Sequence, residues 1–139
     1  MSSQLVENRP DILVVDDEKR IADTLALILR SKNYVVATAY DGVQAYESCR
    51  KIIPRLVITD VVMPEMNGIE LAIKIRSEMP LCSVLLFSGQ AATADMLQDA
   101  CARGFDFELL AKPVHPDDLV KKVRELIGAE PAAQASAWI

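Results

Sequence analysis

Five polar side chains each stand at the end of a short apolar run, and as a set they have the chemistry to handle a phosphoryl group. Asp16 and Asp17 follow Ile12-Leu13-Val14-Val15, Asp60 ends Leu56-Val57-Ile58-Thr59, Ser88 follows Val84-Leu85-Leu86-Phe87, and Lys112 follows Leu109-Leu110-Ala111. Any one of them alone reads as a turn residue or a helix cap. Together they are three carboxylates, one hydroxyl and one ammonium. Carboxylates crowded at one edge repel each other, and a divalent cation with oxygen ligands relieves that repulsion. Mg2+ suits the task, because it binds few protein carboxylates, keeps several waters and accepts phosphate oxygens. With Lys112 and the Ser88 hydroxyl it would neutralise an incoming phosphoryl group from several sides. Phosphoryl transfer needs that inventory, since its catalysis is mostly positioning and charge stabilisation. The attacking group would then be the Asp60 carboxylate, giving an aspartyl phosphate.

For these side chains to meet, the apolar runs must be neighbouring strands. Four or five consecutive apolar residues predict a strand covered on both faces, as in a parallel sheet. Between the runs the period changes. Ile21, Leu25, Ile28 and Leu29 recur at helical spacing and predict a helix over 19–31, stopped near Asn33. A strand follows over 34–39, Asp41-Gly42 turns the chain, and a second helix over 43–51 breaks before Pro54. Past Asp60, Met63-Pro64 and Asn67-Gly68 end the run, and Ile69, Ala72, Ile73 and Ile75 mark a third helix that stops at Met79-Pro80. The pattern continues as a strand over 83–87, a helix over 92–103 closed by Gly104, a strand over 105–111 and a helix over 116–127. Asp117 and Asp118 lie in the first turn of that last helix, where its dipole favours acid, and Gly128 lies just past its end. Five strands alternating with five helices through short connections predict an α/β fold, a parallel sheet with helices on both faces. Ligands of such sheets bind beyond the carboxyl ends of the strands, where all five polar side chains would gather.

The bulk properties exclude several functions. The 139 residues make one domain, expected over 11–128, with 1–10 as an N-terminal arm and 129–139 as a flexible C-terminal tail. That tail is alanine-rich, and Trp138 and Ile139 are its only large apolar groups. Fifteen basic against twenty acidic residues give a net charge of −5, the wrong sign for binding nucleic acid directly. No apolar segment approaches the roughly 18 to 20 residues of a membrane span, and the first nine residues lack the regions of a secretion signal. A cytoplasmic protein with no membrane partner is expected. Cys49, Cys82 and Cys101, odd in number and without a CxxC, predict free thiols packed as small core residues. The five glycines never cluster, so no phosphate loop of the GxGxxG or Walker type is present. The single histidine, His115, stands beside Pro116 at a helix start and predicts a cap or surface residue.

Four motifs in order resemble the receiver domain of two-component response regulators, over 11–128: Asp16-Asp17, the stretch from Asp60 through Met63-Pro64 to Asn67-Gly68, Ser88-Gly89 and Lys112-Pro113. The resemblance implies a flavodoxin-like (βα)5 fold with strand order 2-1-3-4-5. It implies that Asp60 accepts a phosphoryl group from a sensor histidine kinase or phosphotransfer protein. Asp16, Asp17, Asp60 and the Val62 backbone carbonyl would hold Mg2+, Ser88 would be the switch hydroxyl, and Lys112 would pair with the phosphoryl group. Lys112-Pro113 would be cis. Such a chain is a phosphoacceptor regulator, not an enzyme, although it takes part in its own phosphotransfer and autodephosphorylation. Phosphorylation adds about two negative charges, Ser88 moves inward, and the fourth helix and fifth strand shift population. With no DNA-binding region after Gly128, the expected output is contact with a downstream protein, a second copy of the chain being one candidate.

Two other classes compete. A metal-dependent phosphohydrolase would carry a second acid two residues after its nucleophile, whereas Val61-Val62 follow Asp60. A degenerate receiver serving only as an interaction module would have lost the acceptor or the lysine, and both are present. One departure from the family pattern concerns output: Tyr or Phe usually stands three residues before the lysine, and here that residue is Leu109. The segment 104–112 also looks one residue long, so Phe107 could supply the aromatic ring through a bulge. The sequence leaves both open. Gln90, two residues after Ser88, either reaches the water that attacks the phosphoryl group or is simply solvated.

Overall fold

A computed structural model of the chain describes residues 10–89 and 93–128. The expected tail, the expected arm apart from Pro10, and Gln90 lie outside the described residues. Strands β1 (Ile12–Val15), β2 (Val36–Ala39), β3 (Leu56–Asp60), β4 (Ser83–Ser88) and β5 (Glu108–Ala111) form one parallel sheet of order β2-β1-β3-β4-β5. Helices α1 (Lys19–Arg30), α2 (Gly42–Ile52), α3 (Gly68–Glu78), α4 (Thr93–Ala102) and α5 (Pro116–Ile127) connect and follow them. This is the flavodoxin-like arrangement expected from the motifs.

The runs of β1, β3 and β4 divide their side chains between two cores, because successive strand residues point to opposite faces. Ile12, Val14, Leu56, Ile58, Leu85 and Phe87 pack with Ala22, Leu25 and Leu29 of α1 and with Leu119 and Val123 of α5. Leu13, Val15, Val57, Val84 and Leu86 pack on the other face with Ala45 and Cys49 of α2, Leu71 and Ile75 of α3, and Ala100 of α4. A run buried on both faces has no place for a charge until it reaches the carboxyl edge, and the buried Thr59 is accommodated by donating its hydroxyl to the Asp60 carbonyl at 2.9 Å. The polar residues of the set therefore come at the strand ends.

The starts of α2, α3 and α5 are fixed by local chemistry. Asp41 accepts from the Gln44 N–H at 2.7 Å and caps α2. Asn67 and Glu70 form a reciprocal capping box at the start of α3, at 2.9 and 3.0 Å. His115 caps α5, its Nδ1 accepting from the Asp117 N–H at 3.1 Å, which is the capping role its position predicts. Each cap satisfies a main-chain donor that the helix leaves unpaired.

Two expectations need correction. The fifth strand begins at Glu108, three residues later than the pattern predicts, because its pairing with β4 starts at Leu85 opposite Glu108. Phe105 and Phe107 precede it, stacked at 6.2 Å and packed against the core on the α3 side, with the Arg76 guanidinium 5.0 Å from the Phe107 ring. From Leu85–Glu108 to Ser88–Ala111 the register is unbroken, so no bulge lifts Phe107 into the strand. Leu109 is the residue opposite Leu86, and it is exposed. The second correction is Cys101, which is exposed, whereas Cys49 and Cys82 are buried as expected. On α4 it is Ala100 that faces the core, and the next residue on a helix points away from it. Burial pushes the thiols of Cys49 and Cys82 up to about 12 and about 11, so neither is a nucleophile at neutral pH.

Candidate functional site

The sheet register brings the strand ends together. Val15 pairs with Thr59, Asp60 with Phe87 and Ser88 with Ala111, so Asp16, Asp60, Ser88 and Lys112 follow or end adjacent strands at one edge. Asp16 is fully buried, Asp60 and Ser88 nearly so, and Asp17 is exposed. One carboxylate oxygen from each of Asp16, Asp17 and Asp60 lies within 4.8 Å of the others. The Lys112 ammonium stands 3.3 Å from Asp60 Oδ2 and 3.6 Å from Asp16 Oδ2. Val62, two residues past Asp60, presents an exposed side chain at the same end of the sheet. The Lys112-Pro113 peptide bond is cis.

Two close approaches hold this edge in shape. After β3 the chain doubles back, and the Gly68 N–H donates to the Val61 carbonyl at 2.8 Å. A Cβ at position 68 would stand 2.0 Å from the Asp60 carbonyl oxygen, so only glycine lets α3 start against the end of β3. At position 89 a Cβ would meet the Lys112 Cβ at 3.2 Å, and the Lys112 N–H donates to the Ser88 carbonyl at 3.0 Å. The root of the lysine side chain is thus fixed by the end of β4.

The charges are unbalanced. Three acids face one lysine, and Asp16 Oδ1 accepts from the Glu18 N–H at 2.9 Å while its buried Oδ2 has no hydrogen-bond partner. Burial first, and then the neighbouring Asp60 charge, push the Asp16 carboxyl up to about 6, against the opposing pull of the Glu18 N–H and Lys112. Burial also raises Asp60, with Lys112 pulling the other way. An all-oxygen donor set with a buried oxygen that makes no hydrogen bond fits a hard divalent cation such as Mg2+, and Asp16, Asp17 and Asp60 are the side chains able to share it. Beside Lys112 lies a pocket of about 650 Å³ whose lining includes Glu18, Arg20, Ile21, Leu25 and Phe87.

Sequence reasoning gathers Asp16, Asp17, Asp60, Ser88 and Lys112 at this edge, and the structure places them there. It misses Phe87, whose ring centroid lies 4.9 Å from the Lys112 ammonium. A phenylalanine inside an apolar strand carries no signal that separates it from ordinary core. Among the described residues, no helix is long and apolar enough to cross a membrane.

Comparison with known proteins agrees with this geometry. The family model described as response regulator receiver domain matches residues 12–124. The DNA-binding response regulator MtrA of Mycolicibacterium paratuberculosis is 34% identical over 116 residues, which cover 84% of this chain and 50% of MtrA. The hybrid signal transduction histidine kinase D of Dictyostelium discoideum is 32% identical over 133 residues, 96% of this chain and 8% of the kinase. The chain thus spans half the length of the one relative and a small part of the other. Among solved structures, a response regulator receiver domain protein from Clostridium thermocellum superposes with a TM-score of 0.76 at 29% identity, covering 84% of this chain and 92% of that one. The strand order, the acidic edge and a match over most of the sequence lead to one assignment: the chain belongs to the response regulator receiver domain family.

Proposed function

We propose that the chain is a phosphorylation-dependent switch in which Asp60 accepts a phosphoryl group from a phosphohistidine of a sensor histidine kinase or phosphotransfer protein. The observation that carries this reading is the Lys112 ammonium set between Asp60 and Asp16, beside a buried Asp16 oxygen with no hydrogen-bond partner. An Asp60 carboxylate oxygen forms the new bond to phosphorus while the phosphorus–nitrogen bond breaks and the donor imidazole leaves with a proton. Lys112 follows the charge from carboxylate to phosphoryl oxygen. Asp16, Asp17, Asp60 and the Val62 carbonyl would hold Mg2+, which when bound supplies neutralisation of the phosphoryl oxygens. Autodephosphorylation is the same site acting with water, which takes the phosphoryl group as inorganic phosphate and returns the carboxylate.

The switch begins at Ser88, whose hydroxyl donates to a phosphoryl oxygen. Because the Lys112 N–H is bonded to the Ser88 carbonyl, inward movement of Ser88 draws on β5. The populations of β5 and α4 shift, and the exposed Leu109 stands where the family usually has an aromatic ring. A downstream protein, or a second copy of the chain, reads that face. We place this activity in the receiver unit 11–128 and in the cytoplasm, and the net charge of −5 argues against direct contact with nucleic acid.

The test is incubation with a small-molecule phosphodonor and Mg2+, read by intact mass. The wild-type chain gains a phosphate increment that hydroxylamine removes, and Asp60→Ala gains none. An equal gain by Asp60→Ala would remove the acceptor assignment, and turnover of a free phosphoester would indicate a hydrolase instead.

A further inference from the structure

We infer that Phe87 is a positioning residue for Lys112, its ring face holding the ammonium at the mouth of the acidic cluster; this rests on the phosphoacceptor reading of Asp60. Phe87 is the penultimate residue of β4, and its side chain is 1% exposed in the core shared with Leu119 and Val123, so the ring is held by packing. The Lys112 ammonium lies 4.9 Å from the ring centroid, 3.3 Å from Asp60 and 3.6 Å from Asp16. A cation over an aromatic face is attracted by the ring quadrupole, and more strongly when partly withdrawn from water.

Lysine needs such a device. Its head is a compact, strongly hydrated charge on a flexible four-carbon stem, and here the side chain keeps 25% of its exposure. The pocket beside it offers water and a competing carboxylate, Glu18, which lines the same space. The main-chain bond to Ser88 and the close approach of Gly89 fix only the root of the stem. Phe87 supplies an apolar, electron-rich floor that keeps the head on the Asp60 side. A leucine or isoleucine would suit the strand and fill the core, yet would offer the ammonium no attraction.

The ring also changes what happens during phosphoryl transfer. As the carboxylate charge moves onto the phosphoryl oxygens, Lys112 must follow over a short distance without first being collected from solvent. A seat that holds the cation without a charge of its own permits that movement, because it does not compete for the proton or for the phosphoryl group.

Site-specific replacement of Phe87 by mono-, di- and trifluorinated phenylalanine weakens the ring quadrupole while leaving the residue close to its original shape. With acetyl phosphate and Mg2+, the phosphorylation rate should fall stepwise, by about three- to tenfold for the trifluorinated ring, with unfolding temperatures close to wild type. Phe87→Leu should lose a similar factor, and should it fail to fold, the fluorinated series decides. In the metal-free protein, the Lys112 Hε resonances, identified by their absence from Lys112→Arg, should lie upfield of those of the other lysines through the ring current. Equal rates across the fluorinated series, or Lys112 resonances at the ordinary lysine position, would overturn the inference alone. A wild-type chain that never gains phosphate would overturn the acceptor reading and this inference with it.

Discussion

The two ends of β5 carry ion pairs of opposite character. At Glu108, where the strand starts, the Lys122 ammonium approaches to 2.9 Å and also meets Glu125 at 3.3 Å, but the Glu108 side chain is 55% exposed. At Lys112, just past the strand's end, the contacts are longer, 3.3 and 3.6 Å, yet one partner is fully buried and the other nearly so. The shorter pair is the weaker, because water and salt screen it. Burial rather than distance decides what an ion pair is worth, and at the buried end the charges do not balance. The pair at the exposed end of β5 is therefore nearly neutral for stability, while the buried end is under electrostatic tension, and that tension lies where a divalent cation would relieve it.

The contrast can be broken most forcefully from the buried end. Gly68→Ala pushes a methyl group into the Asp60 carbonyl, 2.0 Å away, and should cost about 3 kcal/mol or more in urea denaturation. Asp16→Asn should have the opposite sign in the metal-free protein at neutral pH. It removes a buried surplus charge and should stabilise the fold by about 2 kcal/mol, while abolishing any Mg2+-dependent rise in unfolding temperature.

The same surplus charge fixes a pH dependence. With its pKa raised to about 6 in the folded state from an ordinary 3.8, Asp16 holds a proton that the unfolded chain releases. The metal-free protein should gain stability as pH falls from about 7.5 to about 5, because across that range the folded state binds more protons. The raised Asp60 carboxyl acts in the same direction. Denaturation curves at the two pH values check the sign, and Asp16→Asn should flatten the difference. Smallest of all, Lys122→Ala at the exposed end should leave the unfolding midpoint inseparable from wild type at physiological salt, despite the 2.9 Å contact it deletes. A large loss there would reverse the comparison.

Much of this is legible in the sequence because the three central strands, β1, β3 and β4, repeat one design. The runs of β1, β3 and β4 are buried on both faces, so the charged or hydroxyl residue that closes each marks the strand's carboxyl end, and Asp16, Asp60 and Ser88 follow. Lys112, by contrast, closes a largely exposed strand and is read from its place after Leu109-Leu110-Ala111. The start of β5 is not legible in that way. Phe105, Asp106, Phe107 and Glu108 alternate like a strand, but pairing depends on where β4 offers partners, which local pattern does not encode. For the same reason the choice between Leu109 and Phe107 waits on the register. The Asn67-Gly68 turn is visible, while the collision that makes Gly68 obligatory belongs to the packing of α3 on β3. Nor does composition reveal that an Asp16 oxygen lacks a hydrogen-bond partner, since that is a property of three dimensions.

The most direct test of the central claim is chemical localisation of the phosphoryl group. The chain is treated with a small-molecule phosphodonor and Mg2+, the acyl phosphate is reduced with borohydride, and the digest is mapped by mass spectrometry. The predicted result is reduction of one side chain, that of Asp60, absent when Mg2+ or the donor is omitted. Reduction at Asp16 or Asp17, or an unmodified Asp60 in a chain that has gained phosphate, would contradict it.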